Sequence, residues 1–138
     1  MMKKITVIAD AENIDILLNF VNTELELCGF PEELIPDINV AVEEIFINIS
    51  DYAYVPTNGN VTVFMSVDMS GGDKVATFVF EDSGMPFNPL EAPTPDLDKP
   101  PIERDIGGLG ILFVKQLMDD VSYTYVEDKN ILTIKKRG

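Results

Sequence analysis

The run Ala41-Val42-Glu43-Glu44-Ile45-Phe46-Ile47-Asn48-Ile49-Ser50-Asp51-Tyr52-Ala53-Tyr54 carries two patterns at once. Continued back to Ile38, its apolar residues Ile38, Ala41, Val42, Ile45, Ile49 and Ala53 recur at helical spacing, which predicts a helix from near Pro36-Asp37 to about Tyr54. Its polar residues Glu44, Asn48 and Tyr52 stand four apart and share one side of that helix. At about 100° per residue this polar line borders the apolar stripe rather than opposing it. The side chains then either point into a pocket between helix and sheet or stay solvated with local hydrogen bonds.

Working outward, residues 3–9 alternate as a strand, with Ile5, Val7 and Ala9 in one phase. Asp10 or Asn13 can cap a following helix on which Ile14, Leu17, Leu18, Val21, Leu25 and Cys28 form a stripe, ending at Gly29 before Pro31. Ile16, Phe20 and Leu27 make a second stripe roughly opposite the first, as on a helix covered on both sides, by another helix or by a second copy of the chain. Beyond Pro56-Thr57-Asn58-Gly59, alternation from Val61 to Val67, the turn Ser70-Gly71-Gly72-Asp73 and a strand from Val75 to about Glu81 read as a hairpin. Six of the nine Pro then fall between Pro86 and Pro101, in a long loop with few apolar residues; loops of this length inside a domain are functional lids or disordered insertions. A third helix is predicted from about Gly108 to Asp119, and a terminal hairpin from strands at 121–126 and 131–136 around Glu127-Asp128-Lys129-Asn130. The order predicts an α+β, two-layer sandwich in one domain spanning 1–138, its three main helices on one face of a mixed, mostly antiparallel five-stranded sheet.

Composition narrows the chemistry. The 138 residues hold 10 Lys and Arg against 24 Asp and Glu, a formal charge of −14, with no His and one Cys. Without an imidazole there is no Ser-His-Asp triad, Cys-His dyad, His-ligated zinc or phosphohistidine relay. A single Cys makes no internal disulfide, in keeping with a reducing cytoplasm. The negative charge disfavours direct nucleic-acid and membrane-surface contact, and no apolar run approaches the roughly 20 residues of a membrane span. From Lys4 to Lys74 no Lys or Arg intervenes, while 13 acids do, so the first half suits a basic partner patch.

Two further motifs can carry chemistry. Asp82-Ser83-Gly84-Met85-Pro86-Phe87 follows a strand end: the carboxylate can accept a ligand amino group while Gly84 admits a flat ring, or Asp82 can simply stabilise its own turn. Gly107-Gly108-Leu109-Gly110 opens the third helix, where free backbone N–H groups suit a phosphate, or where glycines serve as a hinge. It is neither the P-loop nor the Rossmann pattern.

In order, Glu44-x3-Asn48, Asp82-x-Gly84, a Pro-rich loop and Gly108-x-Gly110 resemble the ATP-binding (Bergerat) fold of histidine kinases, gyrase and heat-shock chaperones. Within it the chain is most similar to the bacterial anti-sigma-factor serine-protein kinases, over nearly its whole length. The resemblance implies Glu44 as catalytic base, Asn48 as the side-chain ligand to Mg²⁺, Asp82 on the adenine amino group and Gly84 against the ring. Gly107, Gly108, Leu109 and Gly110 would bind the phosphates of ATP beneath a lid at about 85–107. Tyr52 stands where many relatives have His, which leaves its role open. Among the sparse bases, Lys99 or Arg104 would meet the phosphates, or both would merely balance lid acids. The implied activity is Mg-ATP-dependent phosphorylation of a serine on an anti-sigma-factor antagonist protein, by a cytoplasmic homodimer that also holds a sigma factor; a nucleotide-gated binding module without kinase activity is the alternative.

Overall fold

The computed structural model describes residues 2–54, 59–91 and 106–138. Lys99, Arg104, most of the Pro-rich segment and the Tyr52 side chain lie outside the described residues.

Five strands, β1 (Lys3–Ile8), β2 (Asn60–Ser70), β3 (Asp73–Asp82), β4 (Asp120–Val126) and β5 (Lys129–Arg137), form one sheet in the order β1-β2-β3-β5-β4. All four pairings are antiparallel, so the mixed sheet expected from sequence is corrected to a purely antiparallel one. Strand alternation sets one face inward. The register aligns Ile5, Val63, Phe80, Leu132 and Tyr123 in one row and Met65, Phe78, Ile134 and Val121 in the next. Three helices contribute to the same core: α1 (Ile14–Leu27), α2 (Ile35–Asn48) and α3 (Ile106–Leu117). Leu17, Val21 and Leu25 of α1, Ile38, Ala41, Val42, Ile45 and Phe46 of α2, and Ile111 and Val114 of α3 join it.

The helix ends follow local chemistry. Asp10 caps a short 3-10 turn by accepting from Glu12 N, whereas Asn13, the residue before α1, makes no capping bond and instead donates from Nδ2 to Ile8 O at 2.9 Å. At the other end Gly29 takes φ +67°, its N–H bonds Glu26 O and Phe30 N bonds Leu25 O, which satisfies two carbonyls of the last turn. Pro36 sits in the first turn of α2, where a missing N–H costs nothing. The helix then widens into a π-helical turn, Ile49–Ala53, ending at the predicted place.

Three expectations shift. Ile16 and Leu27 are 54% and 74% exposed, so among the described residues nothing seals the second stripe of α1; of its three residues Phe20 packs on the core. α3 begins at Ile106 and stops at Leu117, two residues earlier at each end. The last turn comprises only Glu127 and Asp128, at φ +52° and +62°, so β5 starts at Lys129 and Asn130 belongs to the strand rather than the turn.

Candidate active site

On the inward face of β3, Ala76, Phe78 and Phe80 are followed by Asp82, and on β5 Ile134 and Leu132 lead back to Asn130. The sheet register sets Asp82 and Asn130 opposite each other, at 5% and 6% exposure. The inward phase continues through this row, where Val61 opposite Asp82 is fully buried, yet β3 and β5 both place a polar residue in it.

Beside this pair a solvent-open cleft runs between α2 and the sheet. Ile45, Ile49, Ala53, Phe80 and Leu132 supply apolar walls; Asn48, Asp82, Tyr123 and Asn130 supply the polar atoms; Met85, Phe87 and Pro89 complete the lining. A flat, apolar ring with a polar edge matches such a cleft.

Asp82 Oδ1 accepts from Gly84 N at 2.9 Å and Asn130 Nδ2 at 3.0 Å. Burial pushes its carboxyl above the ordinary aspartate range, and these two bonds pull it partly back. Gly84 is needed for close packing: a β-carbon there would stand 2.3 Å from Ala53 O. The same loop is stitched to the end of α2, since Met85 N donates to Ala53 O at 3.0 Å. Tyr54 adds a second stitch, its hydroxyl accepting from Ser83 N and donating to Asn60 O, each at 2.7 Å.

One helical turn from Asn48, about 6 Å along α2, Glu44 lies outside the cleft lining and against α3. A β-carbon at Gly110 would be 2.6 Å from Glu44 Oε2. Burial first, and the charge of Glu43 second, raise the Glu44 carboxyl above its usual range, toward the values of general bases. Gly107, Gly108 and Leu109 fall in the first turn of α3, where backbone N–H groups have no intrahelical acceptor; Gly110 follows in the second turn. The structure thus gathers Asn48 and Asp82 at the cleft, sets Gly84 behind it, and pairs Glu44 with Gly110 at the α2–α3 contact.

Among the described residues no group of three or more His, Cys, Asp and Glu side chains could hold a metal ion. The Asn48 amide oxygen is a hard donor of the kind Mg²⁺ accepts, and one such protein ligand suffices when phosphates and waters fill the remaining positions.

The family model described as the histidine kinase-like ATPase domain matches residues 7–136. The chain belongs to that family. The serine-protein kinase RsbW of Listeria innocua is 31% identical over 113 residues, 78% of this chain and 69% of its own length. RsbW proteins of Bacillus cereus and Bacillus mycoides are 26% and 27% identical over 112 and 111 residues, again 78% of this chain and 67% of theirs. This histidine kinase-like ATPase therefore stands with the serine-protein kinases of the family, as its motifs imply, and ATP is the family's nucleotide.

Three residues of the site escape the motifs: Asn130, Tyr123 and Tyr54. Asn130 and Tyr123 carry a readable signal, an inward strand phase, but Asn130 is disguised by the polar turn before it. Tyr54 closes the quoted run as one more helical aromatic, and only the returning loop reveals its two bonds.

Proposed function

We propose that this ATPase-family chain is a Mg-ATP-dependent serine-protein kinase of the anti-sigma-factor type, whose substrate is a serine of an anti-sigma-factor antagonist. One observation carries the reading: a buried carboxylate closes the apolar cleft at Asp82 while Asn48 and Glu44 stand a turn apart on the helix forming its other wall. Asp82 accepts the adenine amino group, and the ring lies between Ile45, Ile49 and Leu132 with Gly84 behind the carboxylate. Asn48 would hold Mg²⁺, which supplies charge neutralisation on the phosphates when bound. The first turn of α3, with Gly107, Gly108, Leu109 and then Gly110, takes the phosphates, and Lys99 or Arg104 adds a cation. In the transfer, the serine oxygen bonds the terminal phosphorus, the bond to the ADP oxygen breaks, and Glu44 takes the hydroxyl proton.

The partner surface follows from charge and exposure. The base-free acidic half suits a basic patch on the antagonist or on a sigma factor, and exposed Ile16 and Leu27 support a homodimer face on α1. The setting is cytoplasmic, without nucleic-acid or membrane contact; no helix among the described residues is long and apolar enough to cross a membrane.

The test is transfer of labelled phosphate from ATP to a candidate antagonist with Mg²⁺. Transfer is expected, falling roughly 10²–10⁴-fold in Glu44→Gln with ATP affinity little changed. Its acid limb should lie above the ordinary glutamate value of 4.5, because burial raises the Glu44 carboxyl. The position of Glu44 against Gly110, off the cleft wall, favours a second reading, a nucleotide-gated binding module. Tight Mg-ATP binding without transfer would select that one. Lys99→Ala and Arg104→Ala both retaining normal nucleotide affinity would remove the cation from the scheme.

A further inference from the structure

Asn130 makes an unusual number of contacts for one side chain. Its Nδ2 donates to Asp82 Oδ1 at 3.0 Å, to Met85 O at 2.9 Å and to Gly84 O at 3.4 Å. Its Oδ1 accepts from Phe87 N at 3.1 Å and from the Tyr123 hydroxyl. Oxygens on one side and N–H and O–H donors on the other fix which amide atom is which. Two amide hydrogens and two lone pairs are then fully committed, so the carboxamide has nothing left for a ligand.

Its partners are the parts of the site that must be held still. Asp82 uses Oδ1 for Asn130 and Gly84, and among the described residues Oδ2 carries no bond. The three loop contacts pin Gly84, Met85 and Phe87, and Met85 and Phe87 line the cleft although these residues are 63% and 48% exposed. These loop residues have no strand partners, so the amide substitutes for a ladder. An apolar residue at this inward position would extend the Leu132–Ile134 core. Burying an amide there without use would cost stability.

We infer that Asn130 is the positioning residue for base recognition: it aims the free oxygen of Asp82 into the cleft and fixes the wall from Gly84 to Phe87, without touching the base itself. The inference rests on the reading that Asp82 accepts the nucleobase amino group. It adds that purine discrimination is set from β5, through a tether to the root of the long loop.

The experiment compares the full chain's Mg²⁺-dependent affinity for ATP and for purine riboside triphosphate, which lacks only the 6-amino group. The unaltered protein should favour ATP about tenfold or more, the effect of one hydrogen bond to a charged acceptor. In Asn130→Ala, and in Asn130→Leu, which keeps the approximate size but loses the donors, the preference should shrink to within about threefold. Tyr123→Phe removes only the hydroxyl on Asn130 Oδ1 and should lower it by about two- to fivefold, which keeps the idea testable if both Asn130 variants fail to fold. A merely structural role would lower the melting midpoint and weaken both nucleotides alike, leaving the ratio intact. That outcome in a folded Asn130 variant, or in Tyr123→Phe when neither Asn130 variant folds, overturns the inference. Absence of any preference in the unaltered protein overturns the Asp82 reading and the inference with it.

Discussion

Asp82 occupies the place where β3 would otherwise carry its next core residue after Ala76, Phe78 and Phe80, and it is 5% exposed. Burial raises its folded-state pKa above the ordinary 3.8, against the opposing bonds from Asn130 and Gly84. A raised folded-state pKa favours the fold fully below the unfolded value, and that contribution is lost as pH rises through the raised value. Asp82→Asn has no such dependence and can keep both bonds on its amide oxygen. Chemical denaturation of the two proteins should therefore show the stability difference moving in the variant's favour from pH 4 upward and holding at neutral pH. ATP affinity should meanwhile fall roughly 10- to 100-fold, since the charged acceptor is gone. A variant that is both less stable at neutral pH and undiminished in ATP binding would contradict this account. The motif Asp82-x-Gly84 made the carboxylate legible, and Gly84 earns its place through the 2.3 Å approach of Ala53 O. Asn130 was not legible in the same way, because Glu-Asp-Lys-Asn reads as one polar turn. Only the tight two-residue turn at positive φ pulls it into β5 and opposite Asp82.

Among the elements, α2 and α3 divide the work. The 3.6-residue period of α2 fixes Asn48 beside the buried stripe, while its π-helical end brings Ala53 and Tyr54 to the loop after β3. At the α2–α3 contact, Gly110→Ala separates packing from chemistry. Replacing a glycine inside a helix should gain up to about 1 kcal/mol of helix propensity. The atom nearest the new methyl is Glu44 Oε2 at 2.6 Å, the far end of a flexible side chain that can swing away. The expected result is a melting midpoint equal to or above that of the unaltered chain, with phosphate transfer reduced about tenfold or more as Glu44 is displaced. By contrast, Gly84→Ala meets a backbone carbonyl and should cost about 1–3 kcal/mol, read by urea denaturation. The helix boundaries themselves were legible to within two residues, from Gly29, Pro36 and the apolar periods. The exposure of Ile16 and Leu27 was not, because periodicity identifies an apolar face without saying what covers it.

For the molecule as a whole the charge of −14 is weakly offset. Four ion pairs form among the described residues, and three of the four have a lysine or arginine side chain about half exposed. Such pairs add little, and the remaining acids repel one another within the roughly 10 Å reach of unscreened charge at 0.1 M salt. Raising NaCl from 20 to 500 mM should therefore stabilise the fold; relief of about 1 kcal/mol would raise the melting midpoint by roughly 3–5 °C in a chain of this size. A midpoint that falls with salt would mean that the surface pairs outweigh the repulsion. The sequence by itself determined the two-layer α+β arrangement, the acidic and imidazole-free chemistry and the spacing of Glu44, Asn48 and Asp82, because periodicity and residue type act along a single element. Tertiary structure alone decided that every strand pairing is antiparallel, that Glu44 abuts Gly110, and that Asn130 holds Asp82 and the loop together. Those are meetings between elements tens of residues apart, set by register and packing, which no local period encodes.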